Sequence, residues 1–184
     1  MTHALIIIDM QVGSFGPETP RYDADGVVQR LNALAETTRA DNGAVVYVQH
    51  DGPPGDPHAP DAPGWQVLPA LVRGAADLSL RKTTNDSFHD TALEELLRAR
   101  GISQLVLTGC ATDFCVDSTI RAAVSRRFEI CVPADGHTTA DRPHLTAAQI
   151  IRHHNYVWAD LFTPTRPVRV APTADLLTAD PFGK

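Results

Sequence analysis

The sequence contains few cysteines and no paired cysteine motif. Its three cysteines, Cys110, Cys115 and Cys131, form an odd set that includes no CxxC pair. Disulfide-rich domains need an even set of paired cysteines, and structural zinc sites usually need closely spaced pairs. The sequence therefore predicts neither a disulfide framework nor a structural zinc site, and it favours the reducing environment of the cytoplasm.

The chain also lacks clusters of basic residues and long apolar runs. It has 16 lysines and arginines against 22 aspartates and glutamates, which gives a net charge of -6. Without a basic patch, we expect it to bind neither nucleic acid nor an anionic membrane. The N-terminal residues lack the basic and apolar regions of a signal peptide, and no apolar run approaches the roughly 20 residues that span a bilayer. We therefore expect a cytoplasmic protein.

The sequence does contain apolar runs that alternate with segments of helical periodicity. The runs are continuous and aliphatic, which is typical of parallel strands covered on both faces. Strands are predicted at residues 4–9, 43–50, 77–82, 103–108, 129–134 and 168–170, with helices at 27–41, 90–100, 116–125 and 145–161. This alternation predicts one α/β domain over residues 1–184, with three α/β/α layers and a mostly parallel sheet.

Several local features accompany these elements. Asp90 is a plausible N-cap and Gly101 a plausible C-terminal stop for the helix at 90–100. The residues at 135–139 are predicted to form a polar turn, and the Pro/Gly-rich stretch at 51–69 has no periodicity. Loops of that length in compact domains are usually lids or binding loops.

Cys115 is the first candidate for chemistry. It follows the apolar run Leu105–Thr108 and the residues Gly109 and Cys110, at the point where a helix is predicted to begin. The positive end of a helix dipole favours a thiolate, so a thiol in this position is expected to have a lowered pKa and to be nucleophilic. The alternative is that Cys115 is a small buried apolar residue, as many free cysteines are.

Asp9 and Lys82 complete a possible catalytic set with Cys115. Each follows a predicted parallel strand, and the carboxyl ends of such strands share one edge of the sheet. Acyl transfer needs a nucleophile, a base and donors for an oxyanion; the backbone N–H groups of Ala111 and Cys115 lie at a helix-opening turn where such donors occur. Taken singly, Asp9 also fits a cap or turn, and Lys82 fits a surface pair with Arg81.

Other side chains have two open interpretations. His137 is either a base or a hydrogen-bonded loop histidine. His153 and His154 are neighbours on a helix, so they do not chelate one metal easily. Aromatic residues that fit either a pocket wall or the core are Phe15, Trp65, Phe88 and Phe114.

Three motifs make the sequence resemble the isochorismatase-like cysteine hydrolases. They are Leu5-Ile-Ile-Ile-Asp9-Met-Gln11, Lys82-Thr-Thr-Asn-Asp-Ser-Phe88 and Gly109-Cys-Ala-Thr-Asp-Phe-Cys115-Val-Asp-Ser-Thr119, and the similarity continues through Val132-Pro-Ala-Asp-Gly-His-Thr-Thr139. It covers nearly the whole chain. The resemblance implies a Rossmann-like six-stranded sheet of order 3-2-1-4-5-6 and an Asp9/Lys82/Cys115 triad. It also implies a non-proline cis peptide before Ala111, with the Ala111 and Cys115 amides as the oxyanion hole, and a homodimer or homotetramer.

This sequence differs from known branches of that family, and the differences narrow the choice of reaction only in part. Its nicotinamidases carry a metal-binding Asp-x-His, whereas this chain has His50-Asp51 and His58 in a different order and spacing. We therefore predict no metal or cofactor, while leaving open whether His50, Asp51 and His58 bind a metal. Cys115 in its full motif favours hydrolysis of a small amide through a thioester. The alternatives are vinyl-ether hydrolysis through Asp9 and Lys82, and a non-catalytic binding module on the same fold.

Overall fold

The computed structural model describes residues 3–179 and 181–182 as a parallel sheet covered by helices. The strands are β1 (His3–Ile8), β2 (Ala44–His50), β3 (Leu78–Lys82), β4 (Gln104–Cys110), β5 (Glu129–Pro133), β6 (His137–Thr138) and β7 (Arg169–Ala171). The helices are α1 (Ala24–Ala40), α2 (Leu93–Ala99), α3 (Asp117–Ser125), α4 (Ala147–Ala159) and α5 (Thr173–Thr178). Short 3-10 turns lie at Val12–Ser14 and Pro63–Trp65, and a π-helical turn lies at Thr112–Val116.

The sheet has the order β3-β2-β1-β4-β5-β7, and all of these pairs are parallel. The predicted six-strand order is therefore confirmed, with β7 as its last member. The polar turn predicted at 135–139 is wrong in part, because its residues His137 and Thr138 form β6 and pair with β4. Gly109 allows β4 to pack tightly against β1: its φ is +116°, and a Cβ there would lie 2.1 Å from the carbonyl oxygen of Ile8.

The core lies on both faces of the sheet, and β1 runs through its centre. Every residue of β1 is buried. Successive strand side chains point to opposite faces, so Ile6 and Ile8 join one apolar cluster and Leu5 and Ile7 join the other. Helices α2, α3 and α4 cover the first face, and α1 and α5 cover the second. The predicted three-layer α/β/α architecture is confirmed.

Helix α2 starts later than predicted. Asp90 is not its N-cap: α2 begins at Leu93 after the N-cap Ala92, whose side chain makes no cap hydrogen bond. The left-handed backbone of Asp90, with φ 51°, keeps it outside the helix, and the Thr91 hydroxyl accepts a hydrogen bond from the Leu93 N–H at 3.3 Å. Gly101 follows α2 with φ +67°, as predicted for a C-terminal stop. In the part of the chain described, no helix is long and apolar enough to cross a membrane.

Candidate active site

The carboxyl edge of the sheet brings Asp9, Lys82 and Cys115 together. Asp9 follows β1, Lys82 ends β3, and Cys115 lies in the π-helical turn after β4. The Lys82 ammonium donates to Asp9 Oδ2 at 2.7 Å and lies 3.3 Å from Cys115 Sγ. Its third contact is the Thr84 carbonyl at 2.9 Å. Lys82 is therefore the residue that joins the carboxylate to the thiol.

The Lys82–Asp9 pair is a buried ion pair, not the surface feature that a lysine usually forms. The Lys82 side chain is 0% exposed and that of Asp9 is 8% exposed. Such a pair is costly to desolvate, and it is costlier still to break by removing one partner. Asp9 Oδ1 has no hydrogen-bond partner among the described residues. One carboxylate oxygen thus holds Lys82 while the other is available for a proton.

Burial raises the pKa of the Cys115 thiol to about 12, and the negative charge of Asp9 adds to this effect. Lys82 acts in the opposite direction without overcoming them. The lowered pKa expected from the helix dipole is therefore wrong for the free protein, because loss of hydration and a neighbouring carboxylate outweigh the dipole. The resting thiol keeps its proton and donates weakly to Asn85 Oδ1 at 3.5 Å.

This pKa predicts how fast iodoacetamide alkylates Cys115. Since only the thiolate reacts, the rate should be low at pH 7 and rise about tenfold per pH unit toward the pKa of about 12. Asp9→Asn removes the charge that disfavours the thiolate, so we expect faster alkylation at pH 8. Asp113→Asn is the matched control, because Asp113 lies on the same turn but pairs with Arg142 at 2.8 Å. Alkylation that is already maximal at pH 7 would contradict a raised pKa.

The turn that carries Cys115 has an unusual backbone. The peptide bond between Cys110 and Ala111 is cis, as the family resemblance implies. The Ala111 carbonyl accepts hydrogen bonds from the N–H groups of Phe114 and Val116 at 3.0 and 3.1 Å. These bonds close the π-helical turn. Cys115 lies between Phe114 and Val116, the two residues that donate them. The Ala111 and Cys115 amides lie on this turn, and their role as an oxyanion hole stays a prediction.

His137 is a buried, neutral histidine outside this cluster. Burial lowers its pKa to about 4. Its Nδ1 lies 2.9 Å from the Thr112 hydroxyl and its Nε2 lies 3.0 Å from Asn155 Oδ1. Because both ring nitrogens are partnered and the ring packs on Trp158 at 4.9 Å, the geometry fits the hydrogen-bonded alternative for His137 and not a base.

A cavity of about 180 Å³ opens over Cys115. Its wall consists of Asp9, Ser14, Arg21, His50, His58, Asn85, Cys110, Ala111, Phe114 and Cys115. Of the four aromatic candidates, Phe114 alone is in this wall. Phe88 stacks on Phe128 in the core, and the Trp65 ring N–H donates to Asp51 at 2.7 Å. Phe15 packs against the core beside α1 and lines a separate groove.

Three residues of the wall, Ser14, Arg21 and Asn85, were not predicted from the sequence. Ser14 and Arg21 lie in the aperiodic segment after β1, where no spacing indicates which side chains turn inward. Asn85 lies within the motif that begins at Lys82, so that motif could have identified Asn85 as a residue of the site. His58 reaches the cavity from the loop at 51–69. That loop therefore contributes to the cavity of its own chain.

The metal question concerns His50, Asp51 and His58. Asp56-Pro57-His58 does have the Asp-x-His spacing, so the predicted difference in spacing is wrong at these residues. Burial, and then the charge of Lys82, lower the pKa of His50. Asp51 is occupied by Trp65 and Arg81, and the His50 and His58 rings are 6.3 Å apart. Within residues 3–179 and 181–182, no group of three or more histidine, cysteine, aspartate or glutamate side chains is arranged to hold a metal ion.

Two curated proteins are similar in sequence to this chain over most of its length. Streptothricin hydrolase from Streptomyces noursei is 35% identical over 140 residues, which are 76% of this chain and 56% of that protein. Ureidoacrylate amidohydrolase from Methylorubrum extorquens is 29% identical over 78% of this chain and 73% of that protein. The chain spans only about half of the streptothricin hydrolases that it matches, 56% and 51%.

Solved structures match over nearly the whole chain. A crystal structure of an isochorismatase family protein superimposes with a TM-score of 0.84 at 31% identity, covering 91% of this chain and 96% of that one. The crystal structure of N-carbamoylsarcosine amidase from Thermoplasma acidophilum gives a TM-score of 0.73 at 25% identity, covering 94% and 97%. The family model described as the isochorismatase domain matches residues 3–159. The chain is therefore a member of the isochorismatase family.

Proposed function

We propose that this protein is a cysteine-dependent hydrolase that cleaves the C–N bond of a small amide through a thioester on Cys115. The observation that carries the proposal is the Lys82 ammonium, which contacts Asp9 Oδ2 at 2.7 Å and Cys115 Sγ at 3.3 Å. The relatives named amidohydrolase and amidase support the choice of an amide over other acyl groups.

Proton transfer from Cys115 to Asp9 starts the reaction. A thiol whose pKa is about 12 is scarcely ionised at neutral pH, so it needs a base at the moment of attack. Asp9 Oδ1 has no other partner among the described residues and takes this proton. Sγ then bonds to the amide carbonyl carbon, and Lys82 stabilises the negative charge that passes from sulfur to oxygen.

Collapse of the tetrahedral intermediate breaks the C–N bond. Asp9 returns the proton to the departing nitrogen, which leaves as ammonia or an amine, and a thioester remains on Cys115. Water then attacks the thioester carbon while Asp9 accepts a proton from that water. The C–S bond breaks, Asp9 returns the proton to Sγ, and the free acid leaves. The Ala111 and Cys115 N–H groups are the proposed donors to the carbonyl oxygen in both steps.

The cavity restricts what part of a substrate reaches Sγ. A volume of about 180 Å³ is below the roughly 300–1,000 Å³ of typical ligand pockets. We therefore propose a compact amide end at Cys115, with any larger part of the substrate extending past the exposed Phe114 ring toward solvent.

A panel of small amides, ureido acids and ring amides, screened for release of ammonia or amine, tests the proposal. We expect at least one compound to be hydrolysed by the wild-type protein and not by Cys115→Ala. Isochorismate is included because the vinyl-ether alternative needs Asp9 and not the thiol. Cleavage of isochorismate by Cys115→Ala but not by Asp9→Ala, with no amide turned over, would replace the proposal by that alternative. Turnover of no compound would favour the binding module.

Two further predictions, on the oligomeric state and on the cellular location, accompany the proposal. A homodimer or homotetramer stays a prediction, and so does a cytoplasmic location. Sedimentation velocity tests the first, since a sole species at the monomer mass of 19.9 kDa would contradict it.

A further inference from the structure

A second set of hydrogen-bonded side chains lies in the wall of the same cavity. Ser14 Oγ lies 2.8 Å from Nε2 of His58, and Nδ1 of the same ring lies 3.1 Å from Asp56 Oδ1. Both distances are in the range of a nucleophile, a base and the carboxylate that orients the base. None of these residues belongs to the Asp9–Lys82–Cys115 cluster.

The partners of His58 fix its tautomer. Asp56 is held ionised, because hydrogen bonds from the backbone and ring of His58 lower the pKa of its carboxyl. A carboxylate only accepts, so Nδ1 donates to Asp56 Oδ1, and in the neutral ring Nε2 is left to accept from the Ser14 hydroxyl. This is the protonation pattern that a serine nucleophile needs before attack.

Tight packing holds the two loops that meet at this site. The His58 N–H donates to Asp56 Oδ1 at 2.7 Å, and the Gly52 N–H donates to the His58 carbonyl at 2.9 Å. Gly13, next to Ser14, lies against this loop: a Cβ on Gly13 would be 3.2 Å from both the Pro57 Cβ and the Gly64 carbonyl oxygen. The loop is therefore pressed onto the segment that includes Ser14, and the Ser14–His58 contact is built into this packing.

Ser14 also has a positive group beside it. Arg21 Nε donates to the Ser14 carbonyl at 2.7 Å, and Arg21 is part of the cavity wall. In the described part of the chain Arg21 has no acidic partner within salt-bridge distance, unlike Arg142, which pairs with Asp113. A guanidinium in that position can stabilise negative charge on an oxygen next to Ser14.

We propose that Ser14, His58 and Asp56 form a second acyl-transfer centre in this cavity, which hydrolyses small esters without Cys115. Ser14 Oγ bonds to the ester carbonyl carbon while His58 Nε2 takes the hydroxyl proton. The C–O bond to the leaving group then breaks, and His58 gives that proton to the departing alkoxide. His58 then takes a proton from water as the water oxygen bonds to the acyl carbon, the C–O bond to Ser14 breaks, and His58 returns the proton to Ser14 Oγ. Asp56 is a positioning residue that acts through His58.

Diisopropyl fluorophosphate tests the nucleophile directly in the wild-type protein. The Ser14 oxygen would bond to phosphorus, fluoride would leave, and His58 would take the hydroxyl proton. Peptide mapping should find the phosphoryl adduct on Ser14. His58→Gln, which keeps a side chain that can hydrogen bond, should slow this labelling at least 100-fold. Ser125→Ala is the control, because Ser125 lies on α3 and only bonds the Arg121 carbonyl.

Hydrolysis of p-nitrophenyl acetate by Cys115→Ala measures the activity without the thiol. We expect turnover that Ser14→Ala removes in the same background. Asp56→Asn should lower kcat at least tenfold with KM within twofold, because it misorients the base, whereas a displaced loop would raise KM as well. No adduct on Ser14 in the wild-type protein, or equal labelling in His58→Gln, would overturn the proposal. Neither result bears on amide hydrolysis by Cys115. Ester hydrolysis by Ser14 can therefore be disproved without disproving amide hydrolysis by Cys115, and the reverse also holds.

Discussion

Replacing Cys115 with alanine is expected to lower hydrolysis of the amide found by the panel at least about 10⁴-fold, since the nucleophile is lost. The substitution removes one sulfur atom from a half-buried position and leaves the Lys82–Asp9 ion pair in place. The fold should persist, so the loss should appear in kcat with little change in substrate binding. Steady-state release of ammonia, together with thermal unfolding of the variant, measures both quantities.

Cys131→Ala is the matched control for that variant. Cys131 is buried in β5 and belongs to the apolar cluster beside α1, so it has no place in the cavity wall. We expect its kcat to stay close to that of the wild-type protein. If Cys115→Ala and Cys131→Ala hydrolysed the amide equally well, covalent catalysis by Cys115 would be ruled out.

Replacing Lys82 with methionine should damage both stability and activity. The side chain is fully buried, and its loss leaves the Asp9 carboxylate buried without its cation. Breaking a buried pair in this way costs about 3–5 kcal/mol in the free energy of unfolding. The pKa of the Cys115 thiol should rise further, because Lys82 is the group that lowers it. We expect kcat to fall at least about 10³-fold, measured beside urea unfolding.

Arg81→Met is the control from the adjacent position. Arg81 also pairs with an aspartate, Asp51 at 2.6 Å, but its side chain is 56% exposed. Exposed pairs contribute little because water screens them, so the unfolding midpoint should change only slightly. A Lys82→Met variant as stable and active as Arg81→Met would show that the buried ion pair has neither role.

The positions of Asp9, Lys82 and Cys115 could be predicted from sequence for a simple reason. Continuous aliphatic runs identify buried parallel strands, and the residue after each run lies at the carboxyl edge of the sheet. Three reactive residues in such places are brought together by topology alone. The fold class followed from the same runs, whereas the strand order followed only from the family resemblance that the motifs carry.

Features that depend on nonlocal packing could not be predicted in this way. His137 and Thr138 form β6 by pairing with Gly109 and Cys110 of β4, beyond the residues of β4 that pair with β5. The pKa of Cys115 depends on burial and on Asp9, which outweigh the local helix terminus. Ser14 and His58 lie in aperiodic loops, 44 residues apart in sequence, and no spacing rule connects them.

In the proposed mechanism the acyl group of the substrate passes through Cys115. Rapid acid quenching during turnover of the best amide, followed by peptide mass spectrometry, tests it most directly. The proposed mechanism predicts a mass increase equal to the acyl group on the peptide that contains Cys115, with one ammonia or amine released per adduct. Full turnover with Cys115 unmodified at every quench time, and undiminished in Cys115→Ala, would contradict it.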